Sequence, residues 1–330
     1  MSQTEIIRVE NLKKYFPVEK SFLERLLTRT RSFVHAVDGV TFSVRKGEVF
    51  TLAGESGCGK TTTGKLILGL IPPTSGKVFF KDQEITKLGQ NELRLVRRKM
   101  QIIFQDPYAS FNPRMRIGDA IGHPLEIHGL ATGEEKRKKV LAMLERVGLT
   151  PPEQFIDLYP HQLSGGQRQR AAMARSLILE PEFIVADEPV SMIDVSLRTT
   201  IIDLMLDLKK ALQLTYLFIT HDLAIAKYIS DRIAIMYLGK IVEMGDKKEI
   251  FLKPVHPYTQ ALLSAIPVPN PERKRKVIEL KGEVPSAIKI PTGCRFHPRC
   301  PFAENICAKE EPELRAVAAE HFVACHLAKS

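Results

Sequence analysis

An α/β fold with parallel strands is predicted by three apolar runs in this 330-residue chain, each ending in polar residues suited to ligand chemistry. Val49 to Ala53 passes into the glycine-rich turn Gly54-Glu55-Ser56-Gly57-Cys58-Gly59-Lys60-Thr61, and a helix-like stretch, Thr62 to Leu70, follows. Phe183 to Asp187 delivers two carboxylates, Asp187 and Glu188, at its end. Thr215 to Thr220 stops at His221.

The first turn has the spacing G-x4-G-K-T of a phosphate cradle. Glycines permit backbone turns closed to other residues, so that N–H groups face a nucleotide's phosphates while the new helix adds the positive end of its dipole. Lys60 is placed to reach the β- and γ-phosphates, and the Thr61 hydroxyl to ligate Mg²⁺. The plainer alternative is an ordinary glycine loop; a strand before it and a helix after it favour the cradle. In a phosphate-loop enzyme Asp187 would orient Mg²⁺ through water and Glu188 would polarise the attacking water. An acidic turn after a buried strand is common for either carboxylate alone, less so with a cradle in the same chain. Cys58, inside the loop, is expected to be no more than a small tolerated residue.

Composition narrows the partners. A net charge of +10 suits an anionic surface, yet the basic residues are scattered, and the one dense run, Arg273 to Lys276, lies between prolines like a solvated linker. No stretch approaches the roughly 20 apolar residues of a membrane span, and Met1 to Glu10 lacks an apolar signal core. A cytosolic chain is expected, with any membrane spans supplied by others.

The remaining elements are predicted in order. Glu5 to Phe16 and Ala36 to Val44 alternate as strands. Between them Pro17 to Val34 is basic, and Phe22, Leu23, Leu26 and Leu27 can form one short amphipathic turn or helix without an assignable role. Tyr15 can stack on a purine or simply cover core, and spacing does not choose. Lys77 to Phe80 is a strand, Asn91 to Lys99 a charged helix, and Met100 to Phe104 a buried strand ending on Gln105. A helical insertion, about residues 106 to 180, contains helices over Ile117 to His128 and Glu134 to Val147. Leu163-Ser164-Gly165-Gly166-Gln167 then leads into a helix, Arg168 to Leu179, with Ser164 as its natural N-cap. Its free N–H groups offer a second place to hold phosphate oxygens. Ser196 to Leu212 is an amphipathic helix.

With Gly54 to Thr61, Gln105, Leu163 to Gln167, Asp187-Glu188 and His221 in that order, the sequence resembles the ATP-binding subunits of ABC transporters from Glu5 to about Phe251. The resemblance implies an ABC-type P-loop ATPase domain in which Tyr15 stacks on adenine and the cradle, Gly54 through Thr62, holds ATP. Mg²⁺ would be held by Thr61, Gln105 and Asp187. Glu188 would activate water, His221 would sense the γ-phosphate, and Gln105 would also touch the membrane partner. Leu163, Ser164, Gly165, Gly166, Gln167 and Asp194 would reach the ATP of a facing subunit. The segment Ser191-Met192-Ile193-Asp194 departs from the family's more usual Ser-Ala-Leu-Asp, and Thr63 stands where many relatives have leucine. Asp194 is retained, so the cross-dimer contacts are expected to survive.

His256-Pro257-Tyr258-Thr259-Gln260-Ala261-Leu262, the Gly-Cys-Gly-Lys of the cradle and Gln105-Asp106-Pro107 are similar to the oligopeptide/dipeptide importer branch. That similarity divides the chain into an ATPase domain, residues 1–251, and a C-terminal extension, residues 252–330. It implies a second ATPase subunit, by branch habit a paralogue, two integral membrane permease subunits, an extracytoplasmic substrate-binding protein and no nucleic acid. The chain would sit on the cytoplasmic face of the membrane. Peptide is the default substrate, with oligosaccharide and nickel open. A soluble ABC-type ATPase of translation or DNA repair is the alternative; the first usually has tandem cassettes and the second a long coiled coil, and neither is present in the sequence.

Cys294, Cys300, Cys307 and Cys325 are separated by five, six and seventeen residues. Spacing leaves Zn²⁺, a [4Fe–4S] cluster and unliganded thiols open, since no C-x2-C knuckle occurs. Similarity to the importer extension, some of whose members look like cluster carriers, implies a structural iron–sulfur cluster on these four, with His297, His321 and His326 as alternative ligands.

Overall fold

The structure, a computed structural model, describes residues 4–18, 32–266 and 278–328. The stretch around Phe22 to Leu27 and the basic run Arg273 to Lys276 lie outside the described residues.

In chain order the elements are β1 (Glu5–Pro17), β2 (Phe33–Arg45), β3 (Val49–Ala53), α1 (Lys60–Ile67), β4 (Ser75–Phe80) and β5 (Gln83–Glu84). Then come α2 (Gln90–Arg97), β6 (Met100–Ile103), α3 (Ile117–Ile127), α4 (Gly133–Arg146), α5 (Glu153–Ile156) and α6 (Gly165–Leu177). Next are β7 (Phe183–Asp187), α7 (Val195–Leu212), β8 (Thr215–Thr220), α8 (Leu223–Ile229), β9 (Arg232–Tyr237) and β10 (Lys240–Asp246). The tail holds α9 (Lys247–Leu252), α10 (Pro257–Ser264), α11 (Asn305–Lys309), β11 (Arg315–Ala318) and β12 (His321–Val323). The predicted strands and helices from β1 to β8 fall within a few residues of these bounds. The main difference is at α6, which begins at Gly165 and so takes the two signature glycines into its first turn.

Two compact units divide the chain. One comprises Arg45–Val49 and Leu88–Phe218; the other draws on Glu5–Val44, Phe50–Lys87 and Ile219–Ser330.

The second unit carries the cradle. Its antiparallel sheet runs β2-β1-β4-β5, and β1 meets β4 with Ile7 opposite Phe80 and Val9 opposite Val78. Its other strands run β11-β12-β10-β9-β3. β3 lies parallel to β9, Phe50 opposite Arg232 and Ala53 opposite Ile235. All five residues of β3 and all six of β9 are buried, as the unbroken apolar runs require of strands covered on both faces. β9 and β10 form a hairpin through Leu238 and Gly239, both at positive φ, 42° and 79°, the pairing that a two-residue turn matched to strand twist needs. β12 continues the ladder on β10, Glu243 opposite Val323. The cysteine-bearing segment therefore shares a sheet and a compact unit with the cradle. Its Phe296 lies in one apolar cluster with Ala53, Ile235, Tyr237 and Tyr258.

In the first unit β6 and β7 are parallel, Met100 opposite Phe183 and Ile103 opposite Ala186, with β8 next to β7. Helices α3, α4 and α6 pack on one another. Two glycines set the close approach of α3: a methyl on Gly118 would lie 2.4 Å from Ile156 Cγ1, and one on Gly122 would lie 2.8 Å from Lys136 Cδ. At Gly118, where the methyl would also lie 2.8 Å from the Ile156 carbonyl oxygen, only a residue without Cβ fits, whereas at Gly122 the Lys136 side chain would have to shift.

The tail is fixed to the second unit by buried polar contacts. The Glu243 carboxylate, fully buried, accepts the N–H groups of Val255 and His256 at 2.8 and 3.1 Å and the ring of His321 at 2.8 Å. His256 caps α10, its Nδ1 accepting the Tyr258 N–H at 3.0 Å. Burial pulls the His256 imidazole from 6.5 down to about 4, with Glu243 pulling the other way. A histidine depressed in the folded state is fully stabilising above about 6.5; that contribution is lost as pH falls toward 4, where the unfolded chain takes up the proton first. The loss amounts to about 3 kcal/mol at about 1.4 kcal/mol per pH unit. His256→Asn, which keeps a capping side chain, is expected to flatten the fall of Tm between pH 6.5 and 4 in thermal melts; an unchanged slope would assign it to other groups.

Candidate functional site

Glycine geometry shapes the cradle. Gly59 precedes α1 at φ 106°, and a methyl there would sit 2.1 Å from the Ala36 carbonyl oxygen. On Gly54, at φ 151°, a methyl would sit 2.3 Å from the Met236 carbonyl oxygen. The loop thus rests directly on the backbones of β2 and β9, and Ser56 and Gly57 form its open side. The Lys60 ammonium, 4% exposed, donates to the carbonyls of Gly54 and Glu55 at 2.8 and 2.9 Å. Cys58 is buried, which pushes its thiol up and keeps it inert, and its carbonyl accepts the Gly239 N–H at 2.9 Å. Thr63 is wholly buried and satisfies its hydroxyl on the Gly59 carbonyl at 3.0 Å.

One expectation changes in detail. Not every N–H of the loop faces inward: that of Glu55 donates to the Tyr258 hydroxyl at 3.1 Å, and that of Cys58 to the Glu55 carbonyl at 3.4 Å. The Glu55 side chain is gripped by Arg299, whose two terminal nitrogens reach Oε2 and Oε1 at 2.8 and 3.1 Å. Tyr15 packs against His35, ring centroids 4.2 Å apart, and donates its hydroxyl to Asp38 at 2.5 Å. Burial and Asp38 push the Tyr15 phenol up to about 12, while Asp38 is held below the usual carboxylate range by Tyr15 and Arg295 despite its burial. His221, exposed, stands between the end of β8 and Asp222, which caps α8 through the N–H groups of Ala224 and Ile225.

In the first unit, Asp187 is buried at the end of β7. Glu188 follows at φ 46°, a left-handed conformation that a non-glycine residue adopts at some cost and that turns the chain sharply off the strand. The Gln105 side-chain amide donates to Glu188 Oε2 at 3.0 Å, so two residues 83 positions apart meet. Ser191 closes the turn with its N–H and hydroxyl on the Glu188 carbonyl, at 3.1 and 3.0 Å. Beyond it Met192 is 58% exposed, and Asp194 precedes α7.

Leu163 to Gln167 opens α6 as predicted for an N-cap. The Gln167 N–H donates to Ser164 Oγ at 3.3 Å, and the Ser164 N–H donates to Gln167 Oε1 at 2.9 Å, a reciprocal capping box. Gly165 has open space where a Cβ would be, with no atom within 4 Å, whereas one on Gly166 would meet Leu197 at 3.3 Å. Arg168, buried, fastens this opening: it donates to the carbonyls of Pro160 and Leu163 at 2.9 and 3.0 Å and lies 3.8 Å over the ring of Tyr108. Asp106 and Asn112 shape the loop that carries Tyr108 by accepting the N–H groups of Tyr108 and Arg114, at 2.7 and 3.0 Å. Arg175 anchors it through the Ser110 carbonyl.

The metal expectation at the four cysteines is not supported. All four are free of disulfides, and burial, with a smaller push from the other three thiols, raises the Cys294 thiol to about 11. Yet among the described residues no three His, Cys, Asp or Glu side chains converge as a metal ion requires. The histidines are otherwise engaged: His297 contacts the Cys294 carbonyl at 2.9 Å, His326 the Glu310 carbonyl at 2.9 Å, and His321 Glu243. Cys294, Cys300, Cys307 and Cys325 accordingly carry no iron–sulfur or zinc step below. Each unit offers a hard oxygen donor of the kind Mg²⁺ prefers, the Thr61 hydroxyl in the first turn of α1 in one and the Asp187 carboxylate at the end of β7 in the other.

Sequence reasoning missed Arg168, Asp38, Arg295 and Arg299. Asp38, Arg295 and Arg299 act across long separations, 244 residues for Arg299 and Glu55, and Arg168 adds to its nearby carbonyl contacts a ring contact with the distant Tyr108, so no local pattern marks them.

A phosphate cradle after a buried strand, a carboxylate pair after another and a capped signature helix define an ABC-type ATPase. Residues 37–191 match the ABC transporter family and residues 242–307 the C-terminal region of oligopeptide/dipeptide transporters. The chain is 48% identical over 329 residues to the oligopeptide transport ATP-binding protein AppF of Bacillus subtilis, covering 99% of this chain and 98% of that one. It is 44% identical over 322 residues to the probable peptide ABC transporter ATP-binding protein y4tS of Sinorhizobium fredii, covering 98% and 90%. It also matches the dimeric post-hydrolysis state of the ATP-binding cassette MJ0796 bound to ADP and Pi, with TM-score 0.63 and 29% identity over 73% of this chain and 98% of that one. This chain belongs to the ABC transporter ATP-binding family.

Gly59→Ala is expected to lower ATP affinity at least about tenfold in equilibrium titration, because the added methyl must displace the Ala36 backbone or the loop itself. Wild-type affinity would mean that the cradle tolerates the shift.

Proposed function

We propose that this ABC ATPase energises the import of di- and oligopeptides. The observation that carries the reading is the opening of α6, where Ser164 and Gln167 satisfy each other and Gly165 has open space over it. An N-terminus so capped and so bare is suited to receive the phosphates of a nucleotide held by another molecule. The names of the two relatives described above, of oligopeptide and of peptide transport, support the substrate class.

In this reading Lys60 leaves the Gly54 and Glu55 carbonyls for the β- and γ-phosphates, and Tyr15 faces adenine. Thr61 and Asp187, with Gln105, hold Mg²⁺, which when bound neutralises developing phosphate charge. Glu188, steadied by Gln105, takes the proton of the attacking water, and His221 contacts the γ-phosphate. Leu163 to Gln167 and Asp194 complete the site of a facing subunit, a paralogue in the branch's usual arrangement. ATP binds the closed pair more tightly than the open one, and that difference drives the motion. Residues 1–251 act as the ATPase part and 252–330 as its extension. Gln105 and the loop from Asp106 to Met115 meet two permease subunits, which receive substrate from an extracytoplasmic binding protein. On this reading the chain is a peripheral subunit on the cytoplasmic face of the membrane, and no helix among the described residues is long and apolar enough to cross it.

Two experiments test this. Glu188→Gln is expected to abolish turnover while retaining ATP-induced association, followed by phosphate release and by size-exclusion chromatography. Normal hydrolysis would remove Glu188 from the mechanism. Gly165→Ala adds a methyl into open space at ordinary φ, so thermal stability should move by less than about 0.5 kcal/mol while ATP-induced pairing falls. Intact pairing would deny this face its role.

A further inference from the structure

Two arginines of the cysteine-bearing segment reach toward the cradle and Tyr15, Arg299 by direct contact with Glu55 and Arg295 by way of Asp38. Phe296, 1% exposed, anchors the segment: its ring packs 5.3 Å from those of Tyr237 and Tyr258, centroid to centroid, and 5.6 Å from His256. Around that anchor the chain makes a tight turn, with the N–H groups of Arg299 and Cys300 both 3.0 Å from the Phe296 carbonyl. Arg295 and Arg299 thus leave a fixed point in fixed directions, and each is only 7% exposed.

Arg299 takes the Glu55 carboxylate in a two-pronged ion pair at 2.8 and 3.1 Å and lies over the Tyr237 ring at 5.8 Å. Glu55 is the second residue of the cradle, and its own N–H is held by Tyr258 at 3.1 Å. The start of the phosphate loop is therefore pinned twice, once through its side chain and once through its backbone, and both partners come from beyond residue 251. Arg295 pairs with Asp38 and the Leu238 carbonyl. The other Asp38 oxygen accepts the Tyr15 hydroxyl at 2.5 Å, so Arg295 fixes the ring that faces adenine through one intermediary. Planar guanidinium groups pairing in this way set orientation as well as attraction.

We infer that Arg295 and Arg299 are positioning residues of the nucleotide site, Arg299 for the phosphate loop and Arg295 for the adenine platform. The C-terminal segment is on this account a working part of ATP binding. The inference rests on the reading of the cradle and Tyr15 as an ATP site.

The two arginines make separable demands, and a ligand without a base distinguishes them. Affinities of the full chain for MgATP and for magnesium tripolyphosphate are measured by titration calorimetry, with Tm recorded for every variant. Arg299→Gln should weaken both ligands by about tenfold, and Arg299→Lys should recover part, since an ammonium keeps the charge and loses the two-pronged fit. Arg295→Gln should weaken MgATP by about tenfold and leave tripolyphosphate unchanged. Glu55→Gln, which breaks the Arg299 pair from the loop side, should reproduce Arg299→Gln, and the double variant should be little worse than either. Wild-type affinities in the variants, or equal loss of both ligands from Arg295→Gln, would overturn the inference while leaving the ATP site in place. A wild-type chain that binds neither ligand would overturn both.

Discussion

The cradle depends on bare backbone meeting bare backbone. Gly54 and Gly59 lie so close to the carbonyls of Met236 and Ala36 that no side chain fits between them. This contact fixes the loop to β9 and β2, so its conformation is set by the sheets beneath it. The parallel pairing of β3 with β9 supplies the strand from which the loop springs, and α1 begins where Gly59 turns the chain. Lys60 is consequently buried, its ammonium held by the loop's own carbonyls. On the proposed reading, a charge held so locally exchanges those carbonyls for phosphate oxygens with little rearrangement of the protein around it.

Much of this was legible in the sequence because the relevant signals are local. Unbroken apolar runs gave β3, β7 and β8, and Ser164 ahead of two glycines gave the cap of α6, since capping is decided within a few adjacent residues. What the sequence hid is what joins distant segments. Gln105 meets Glu188, Arg168 ties Leu163 to Tyr108, and Arg299 reaches Glu55, in each case because the fold gathers them. The strands β9 to β12 were likewise not foreseen, although β9 has the same apolar character as β8. The four cysteines show the same limit: their spacing left zinc, a cluster and free thiols open, because ligation depends on sulfurs converging in space, and among the described residues no such group of ligands converges.

The tail changes how the ATPase part is understood. Residues beyond Phe251 add strands to the cradle's unit, place Phe296 and Tyr258 in its core and hold the buried Glu243 between His321 and two backbone amides. A buried carboxylate without these partners would be costly, so each contact secures the others. Sequence similarity to transporter C-terminal regions thus has a physical counterpart in the packing of the nucleotide site.

The hairpin between β9 and β10 carries a further consequence. Surface hairpins ordinarily accept extra residues, because their tips touch nothing. Here the tip does not: Gly239 gives its N–H to the Cys58 carbonyl and its carbonyl to the Asp38 N–H, each at 2.9 Å, and its Cα side lies against His35 and Ala36. The turn works as a peg of fixed length between the phosphate loop and the strand bearing Asp38. Epitope tags, fluorescent inserts or circularly permuted ends grafted at this bend would pull that peg, so engineers should look elsewhere on the chain for a permissive site.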